Sequence, residues 1–258
     1  MAFQPVVDIE ANSIVAYEAL VRGKNGESAA SVLKRDRGAA LYSFDQLRRI
    51  RAIEMAAALG LESSGADLCI NFFPNEVHQA AACLDTTLIA AERVGILPRR
   101  LIFEINEREQ VIHMDHLHSI VMEYRSMGLR TAMDDFGAGF AGLTMLAAFQ
   151  PDIVKIDMAL THKIHERRAS QSIVRAIVEI CTDLGIEIIA EGIERREELE
   201  MLQEMGISRM QGFYLCPPVF EQLARWNSTT GSLDLSDSGS ARAKPVRKGK
   251  LLPQLGCA

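Results

Sequence analysis

Short apolar runs alternate with longer amphipathic stretches from residue 3 to residue 220. In the longer stretches apolar residues recur every three or four positions, which predicts helices such as 44–60, 114–128 and 170–185, each ending in glycine. The short runs are rich in apolar and β-branched residues and predict strands. Eight of these runs occur, at 3–10, 13–20, 67–73, 100–106, 129–135, 152–157, 186–192 and 208–215.

The order of these elements predicts an α/β fold. Repeated strand, helix and strand units favour a parallel sheet, and eight strands match a closed (β/α)8 barrel of the TIM type. Only residues 11 and 12 lie between the first two runs, which is too short for a parallel crossover. The expected fold is therefore a modified barrel with one antiparallel strand near the N-terminus. A doubly wound open sheet is the alternative, but no Gly-x-Gly-x-x-Gly motif follows an early strand.

The composition narrows the class of protein. With 258 residues, 48% apolar residues and a net charge of -6, the chain suits a globular domain and disfavours a DNA or RNA polymer as partner. No window reaches the roughly 18 apolar residues of a membrane span, and the first 25 residues lack the features of a secretory signal, which predicts a cytoplasmic protein. The five cysteines form no Cys-x-x-Cys pair, which is typical of reduced thiols.

The C-terminal part differs from the rest of the chain. Residues 227–258 carry five basic residues against two acidic ones and few apolar residues before the end. This composition predicts a flexible basic tail, with residues 1–226 forming the folded domain.

Polar side chains lie in or near the C-terminal part of seven predicted strands. In a (β/α)8 barrel these strand ends meet on one face, where catalytic groups are found. The distribution therefore predicts an active site. The residues concerned are Glu18, Asn71, Glu104, Asp134, Asp135, Lys155, Glu191 and Gln211.

The five carboxylates of this set would repel each other unless cations or protons were bound. All the expected donors are oxygen atoms, including the Asn71 carbonyl, and this favours Mg²⁺ or Mn²⁺ over Zn²⁺. The adjacent pair Asp134 and Asp135 suggests two ions per site, an arrangement suited to in-line attack on a phosphodiester. Lys155 would orient the attacking water or neutralise phosphoryl charge.

Six sequence motifs occur in order along the chain. They are Glu18-Ala19-Leu20, Val21-Arg22, Asp134 to Phe140, Lys155-Ile156-Asp157, Ala190 to Glu194 and Gln211-Gly212-Phe213. Together they resemble the signature of the EAL domain family, bacterial phosphodiesterases that hydrolyse cyclic di-GMP to linear pGpG. The resemblance extends from Phe3 to about Phe220, and six motifs in order are far more specific than one.

The resemblance implies a role for each matching position. Lys155 would contact the nucleophilic water, Glu191 would act as general base or only as a metal ligand, and Glu107 would hold the loop after Asp135. One metal would bind Glu18, Asn71, Glu104 and Asp134, and the other Asp134, Asp135 and Glu191. The implied substrate-binding residues are Gln4, Leu20, Arg22, Glu194 and Gln211.

Further expectations concern ions and partners. Mg²⁺ or Mn²⁺ is expected to support activity and Ca²⁺ to inhibit it, because calcium coordinates more loosely. The resemblance also implies a homodimer formed through helices beside residues 137–142. A sensory domain or protein outside this chain would supply the input signal.

The chain departs from the family pattern at four places. Asn106 stands where threonine is usual, Phe73 where serine is common, and Ala141-Gly142 where the family usually has two serines. Cys216-Pro217-Pro218 replaces a run that often contains lysine. None of these changes removes an expected metal ligand.

Two other functions remain open at this stage. A non-catalytic cyclic di-GMP receptor acting through protein contacts would keep the barrel, although the intact ligand set argues against it. An enolase-like enzyme would also use strand-end carboxylates, Mg²⁺ and a lysine, but it would need a capping domain. The spacing of His113, His116 and His118 favours an exposed helix surface over a metal site.

Overall fold

The computed structural model describes residues 1–23, 26–27, 39–74, 80–107, 114–139, 142–227 and 232–234. Most of the predicted basic tail lies outside these residues, as do His113, Phe140 and Ala141. The part of the tail that is described, Ser232–Asp234, pairs with Arg225–Asn227 in an antiparallel hairpin.

Eight strands close into a barrel in chain order, which confirms the predicted fold class. All eight predicted runs contain a strand of this barrel. Neighbouring strands are parallel from the second to the eighth. The strands are β1 (Ala2–Asp8), β2 (Ser13–Leu20), β3 (Asp67–Asn71), β4 (Leu101–Asn106), β5 (Arg130–Phe136), β6 (Ile153–Ile156), β7 (Glu187–Ala190) and β8 (Arg209–Met210).

The strand that runs against the others is β1. It pairs antiparallel with β2 along its whole length, and Ala2 lies opposite Leu20. Its other edge pairs antiparallel with β8 at Val7 and Asp8 and with a short strand β9, Val219–Phe220, at Ala2 and Phe3. The short connection between β1 and β2 allows only this reversed pairing, as predicted.

Helices connect the parallel strands and surround the barrel. Their apolar faces form one large buried cluster with the outer face of the sheet. Among the described residues, none of the helices combines the length and the apolar content needed to cross a membrane. The helices are α1 (Ala39–Ala58), α2 (Leu61–Ser64), α3 (Ala80–Arg93), α4 (Met114–Ser126), α5 (Gly142–Phe149), α6 (Met158–Thr161), α7 (Arg168–Leu184) and α8 (Arg196–Glu204), with 3-10 turns at Pro98–Arg100 and Ile164–Glu166.

A second, smaller apolar cluster fills the inside of the barrel. Side chains two positions apart lie on the same face of a strand, so the residue two positions after each of these apolar residues also faces the inside of the barrel. On six strands that later residue is polar and lies nearer the end of the barrel, called the mouth below. The pairs are Ala16 and Glu18, Cys69 and Asn71, Ile102 and Glu104, Ala132 and Asp134, Ile153 and Lys155, and Ile189 and Glu191.

Candidate active site

Two groups of three carboxylates lie at the mouth of the barrel, and Asp134 belongs to both. Within each group, one oxygen from every residue lies within 4.8 Å of the others. The first group is contributed by β2, β4 and β5, and the second by β5 and the residue after β7. The groups are Glu18, Glu104 and Asp134, and Asp134, Asp135 and Glu191.

The ammonium group of Lys155 lies among these carboxylates. Its Nζ is 2.7 Å from Glu191, 2.8 Å from Glu104 and 2.9 Å from Asp134, with Glu18 at 3.5 Å. The lysine side chain is fully buried. One cation therefore contacts four acidic groups from four different strand ends, and the site retains an excess of negative charge.

This crowding changes the protonation of the buried groups. Burial raises the pKa of Glu104 to about 8, although Lys155 opposes the shift. Burial likewise raises the pKa of Glu191 well above its usual value, and Lys155 again acts in the opposite direction. Burial alone would lower the pKa of Lys155, but Asp134 and the other neighbouring carboxylates raise it well above its usual value. The lysine is therefore charged at neutral pH.

Two amide side chains complete the polar mouth. Asn71 Nδ2 donates to Glu18 at 3.3 Å and to Glu104 at 3.1 Å. Gln211 Nε2 donates to Glu18 Oε2 at 2.8 Å, whereas Gln211 Oε1 is buried without a hydrogen-bond partner. A buried carbonyl oxygen without a donor is unfavourable, so this atom is suited to accept from a bound ligand or water.

A bulge explains how neighbouring residues on β5 both face the site. Between Met133 and Phe136 the register with β6 shifts, so that Asp134 and Asp135 stand opposite Lys155 alone. Asp135 has a φ of 57°, in the left-handed region. Regular alternation would turn the second aspartate away, whereas the bulge brings both carboxylates to the mouth.

Glu107 holds the loop that follows β5. Its carboxylate accepts hydrogen bonds from the backbone N–H groups of Gly137 at 2.7 Å, Gly139 at 3.2 Å and Gly142 at 2.6 Å. A Cβ at Gly139 or Gly142 would lie about 3 Å or less from this carboxylate. The Glu107 carboxylate thus holds the loop and belongs to neither of the two carboxylate groups.

A cavity of about 260 Å³ opens over the carboxylates. Of the predicted substrate-binding residues, Gln4, Glu194 and Gln211 line it. Leu20 and Arg22 are not among the described residues that line it, and the Arg22 guanidinium donates to the neighbouring Val21 carbonyl. A larger cavity of about 480 Å³ lies elsewhere, between the β1–β2 turn and residues 223–226.

The sequence model of the EAL domain family matches residues 1–218. The chain belongs to the EAL domain family. Among curated relatives of this EAL domain, the antirepressor BluF of Escherichia coli is 31% identical over 82% of this chain and 52% of its own length. A Pseudomonas aeruginosa protein named as a cyclic di-GMP phosphodiesterase is 25% identical over 88% of this chain and 39% of its own. The chain thus spans about half the length of these relatives, or less.

Solved structures of EAL proteins have the same fold. A standalone EAL protein from Vibrio cholerae in its cyclic di-GMP-bound form matches with 44% identity and a TM-score of 0.84, covering 88% of this chain and 94% of that one. Klebsiella pneumoniae BlrP1 in a manganese and cyclic di-GMP complex matches with 32% identity and a TM-score of 0.80 over 85% of this chain and 56% of its own. A calcium and cyclic di-GMP complex of BlrP1 matches with 33% identity and a TM-score of 0.79, over 86% and 56% of the two chains.

The donor set of this EAL domain fits divalent cations. Its two carboxylate groups supply oxygen ligands only, and among the described residues the charge of Lys155 leaves part of their negative charge uncompensated. Hard cations such as Mg²⁺, Mn²⁺ and Ca²⁺ bind sites of this composition. The unpartnered Gln211 Oε1 is a further acceptor in the same cavity.

Besides Gly192 and Gly212, three described residues that line the EAL domain cavity were not assigned a role from the sequence. Asp157 and Met158, after β6, line the cavity, and the Asp157 carboxylate caps α6 by accepting from the Ala159 N–H at 2.8 Å. Phe213 lines it too and is 64% exposed, so its ring is available to a ligand. Both Asp157 and Phe213 lie inside the motifs given above, two positions after Lys155 and Gln211. That position in a motif was the sequence signal that could have identified them as site residues.

Proposed function

We propose that this EAL domain hydrolyses cyclic di-GMP to linear pGpG. The observation that supports this most directly is the pair of carboxylate groups sharing Asp134, with Lys155 in contact with both. A site that lacked one of these groups would favour the receptor function over catalysis. The relatives named as phosphodiesterases and the cyclic di-GMP complexes of similar fold support the same substrate.

Two Mg²⁺ or Mn²⁺ ions are the proposed cofactors. Asn71 would join the first carboxylate group as a ligand through its carbonyl oxygen, which requires the amide to turn from the orientation in which Nδ2 donates to Glu18 and Glu104. The second group would hold the other ion. When bound, the cations activate water and neutralise phosphoryl charge. Calcium would occupy the same oxygen ligands but support turnover poorly, because its coordination is longer and less directional.

The reaction cleaves one of the two phosphodiester bonds by transferring its phosphoryl group to water. The oxygen of a water molecule forms a bond to phosphorus, the bond from phosphorus to the ribose 3′-oxygen breaks, and that oxygen takes up a proton. Glu191 is the proposed acceptor of the proton that water loses, with its carboxylate held 2.7 Å from Lys155. The Lys155 ammonium orients the water and balances the negative charge that develops at phosphorus.

The remaining predicted residues are proposed to bind the dinucleotide. Gln4, Gln211 and Glu194 line the cavity beside the carboxylates. The Glu194 carboxylate is suited to accept hydrogen bonds from a guanine edge, and Leu20 offers an apolar contact at the end of β2. Arg22 would turn from Val21 to a phosphate oxygen when substrate binds.

The decisive experiment is product analysis in ¹⁸O-labelled water. Cyclic di-GMP should give pGpG with one ¹⁸O in its terminal phosphate when Mg²⁺ or Mn²⁺ is present, and Glu18→Gln should abolish the product. Tight binding of cyclic di-GMP without product, with either ion, would replace the proposal by the receptor function. One observation specifically supports the receptor function, because the relative BluF is named as an antirepressor and not as a phosphodiesterase.

We also propose that two copies of the chain associate beside the loop after β5. Leu143, on α5 next to this loop, is 63% exposed, which supports an apolar contact there. A sensory domain or protein would regulate this assembly.

The described thiols Cys69, Cys181 and Cys216 are free, which is consistent with a cytoplasmic location. Residues 1–226 are the proposed catalytic domain, followed by the basic tail.

A further inference from the structure

Asn106 is the last residue of β4 and lies beside the two aspartates of β5. In the parallel register it stands opposite Asp134, and the next residue, Glu107, donates its N–H to the Asp134 carbonyl at 2.9 Å. The Asn106 side chain reaches one residue further along β5. Its Nδ2 is 2.6 Å from Oδ2 of Asp135.

The chemistry of this contact is unambiguous. A carboxylate offers acceptors only, so the atom that faces Asp135 must be the amide nitrogen of Asn106. The hydrogen bond is short, as expected when the acceptor is charged. It fixes the carboxylate of a residue whose backbone is in the left-handed region and which stands in a bulge.

Each aspartate of the bulge contacts a donor of a different kind. Asp134 contacts the ammonium of Lys155, which supplies a positive charge, whereas Asp135 contacts a neutral amide. A neutral donor orients the carboxylate without cancelling the charge that attracts a cation. Asp135 belongs only to the second carboxylate group, with Asp134 and Glu191.

We infer that Asn106 is a positioning residue that orients Asp135 for the second divalent cation of the site. The inference rests on the proposed two-cation function. The family pattern that this sequence resembles has threonine at this position, and a threonine hydroxyl is attached one bond closer to the main chain than the Asn106 amide nitrogen. In this protein the amide nitrogen of the longer side chain makes the 2.6 Å contact with Asp135.

The test measures the binding of each ion as well as turnover. Metal-free wild-type protein and variants are titrated with Mn²⁺ by calorimetry and by the electron paramagnetic resonance signal of the free ion, and initial rates are then measured against Mn²⁺ concentration. Asn106→Leu keeps the shape of the side chain and removes the donor. Asn106→Thr supplies a shorter donor.

For Asn106→Leu we expect one Mn²⁺ site of wild-type affinity and a second site weakened by about 10- to 100-fold. The Mn²⁺ concentration for half-maximal rate should rise similarly, and saturating Mn²⁺ should restore most of kcat. The second-site Mn²⁺ affinity of Asn106→Thr should lie between those of wild type and Asn106→Leu. The matched control is Gln171→Leu, which removes another amide that donates at 2.9 Å, to the Ile164 carbonyl on the outside of the barrel. It should leave both Mn²⁺ affinities unchanged.

The outcomes separate this inference from the proposed function. Wild-type protein that fails to bind two ions or to turn over cyclic di-GMP refutes the function. If wild-type protein does both, two results overturn the role of Asn106: Asn106→Leu binds both ions as tightly as wild type, or it loses affinity equally at both sites. A loss of kcat that excess Mn²⁺ does not restore also contradicts positioning.

Discussion

Lys155 and Glu104 are in direct contact, with Nζ and Oε1 2.8 Å apart and both side chains completely buried. Burial disfavours each charge, yet the two groups, together with Asp134 and Glu191, stabilise one another inside the barrel mouth. Breaking a buried pair by removing one partner leaves an uncompensated charge. Lys155 is therefore a structural element of the barrel mouth, in addition to the catalytic role proposed for it.

Replacing Lys155 by methionine should abolish turnover and destabilise the metal-free protein by about 3 to 5 kcal/mol, because its carboxylate partners lose their cation. Urea unfolding in the presence of a chelator measures the stability, and product formation with Mn²⁺ measures the activity. Lys163→Met, which removes a lysine outside the cluster, should change neither. A Lys155→Met variant as stable as wild type would contradict the structural part of this account.

Metal binding should release protons near neutral pH. The pKa of Glu104 is about 8 in the folded protein because the side chain is buried, so the carboxyl holds a proton that a cation must displace. Mn²⁺ affinity should rise between pH 6 and pH 8 and then level off. Calorimetry in two buffers of different ionisation enthalpy counts the released protons, and an affinity independent of pH would contradict the prediction.

The same shift predicts how stability depends on pH without metal. A carboxyl group whose folded pKa lies above its unfolded value stabilises the fold below the unfolded pKa of 4.5, and the contribution is lost as pH rises through about 8. The free energy of unfolding should therefore fall from pH 5 to pH 8 in a chelator. Glu104→Gln should make this decline less steep, whereas a decline as steep as that of wild type would assign it to other groups.

Glu107→Ala should lower turnover at least about tenfold while Mn²⁺ still binds. The variant removes the acceptor for three backbone N–H groups of the loop after β5 but no oxygen of the two carboxylate groups. Initial rates and Mn²⁺ titrations distinguish the two effects. The control is Glu123→Ala on the outer helix α4, which should behave as wild type. An unchanged rate for Glu107→Ala would refute the role of the loop.

Gly212→Ala should cost more stability than Gly185→Ala, by about 2 kcal/mol or more. A Cβ at Gly212 would lie 2.1 Å from the Ile193 carbonyl oxygen and 2.2 Å from its nitrogen, so the backbone after Glu191 would have to move. Gly185 has a positive φ but open space around it, so its replacement measures the cost of backbone strain alone. Thermal unfolding of the two variants provides the comparison, and equal losses would contradict the predicted clash.

If two copies associate beside α5, Leu143→Glu should dissociate them and lower specific activity at concentrations where wild type is dimeric. Leu47→Glu is the matched control, because Leu47 on α1 is 65% exposed, close to the 63% of Leu143. Light scattering gives the mass, and rates are measured over a range of protein concentrations. A fully active wild-type monomer would remove the support for control by dimerisation.

The alternation of apolar and polar positions was sufficient to predict the barrel and the face that carries the carboxylates. It succeeded because the two-residue period that fills the barrel with Ile102 also directs Glu104 to the mouth. The same period would place Asp134 and Asp135 on opposite faces. The strand-end distribution already grouped the two aspartates, but it could not show how both side chains reach the site. The register shift that brings them together depends on pairing with β6, which a local pattern does not encode.

The pattern of apolar and polar positions likewise could not predict side-chain contacts between strands. Asn106 was noted only as a departure from the family, because its contact with Asp135 depends on the register of β4 with β5. Arg22 was expected near the substrate from its motif, yet its guanidinium donates to Val21. A long flexible side chain has many accessible rotamers, so sequence position alone does not determine where its charged end lies.

The reversed direction of β1 also determines how the chain enters the barrel. Because this strand runs against its neighbours, Gln4 comes before the barrel-filling Val6 in sequence, whereas Glu18 comes after Ala16. The amino end of β1 consequently lies at the mouth of the barrel, beside Leu20, instead of at the opposite end of the barrel. Any tag or folded module joined ahead of Ala2 would lie only a few residues from Gln4, which lines the cavity. A force on that junction would therefore act on the cavity through β1 alone.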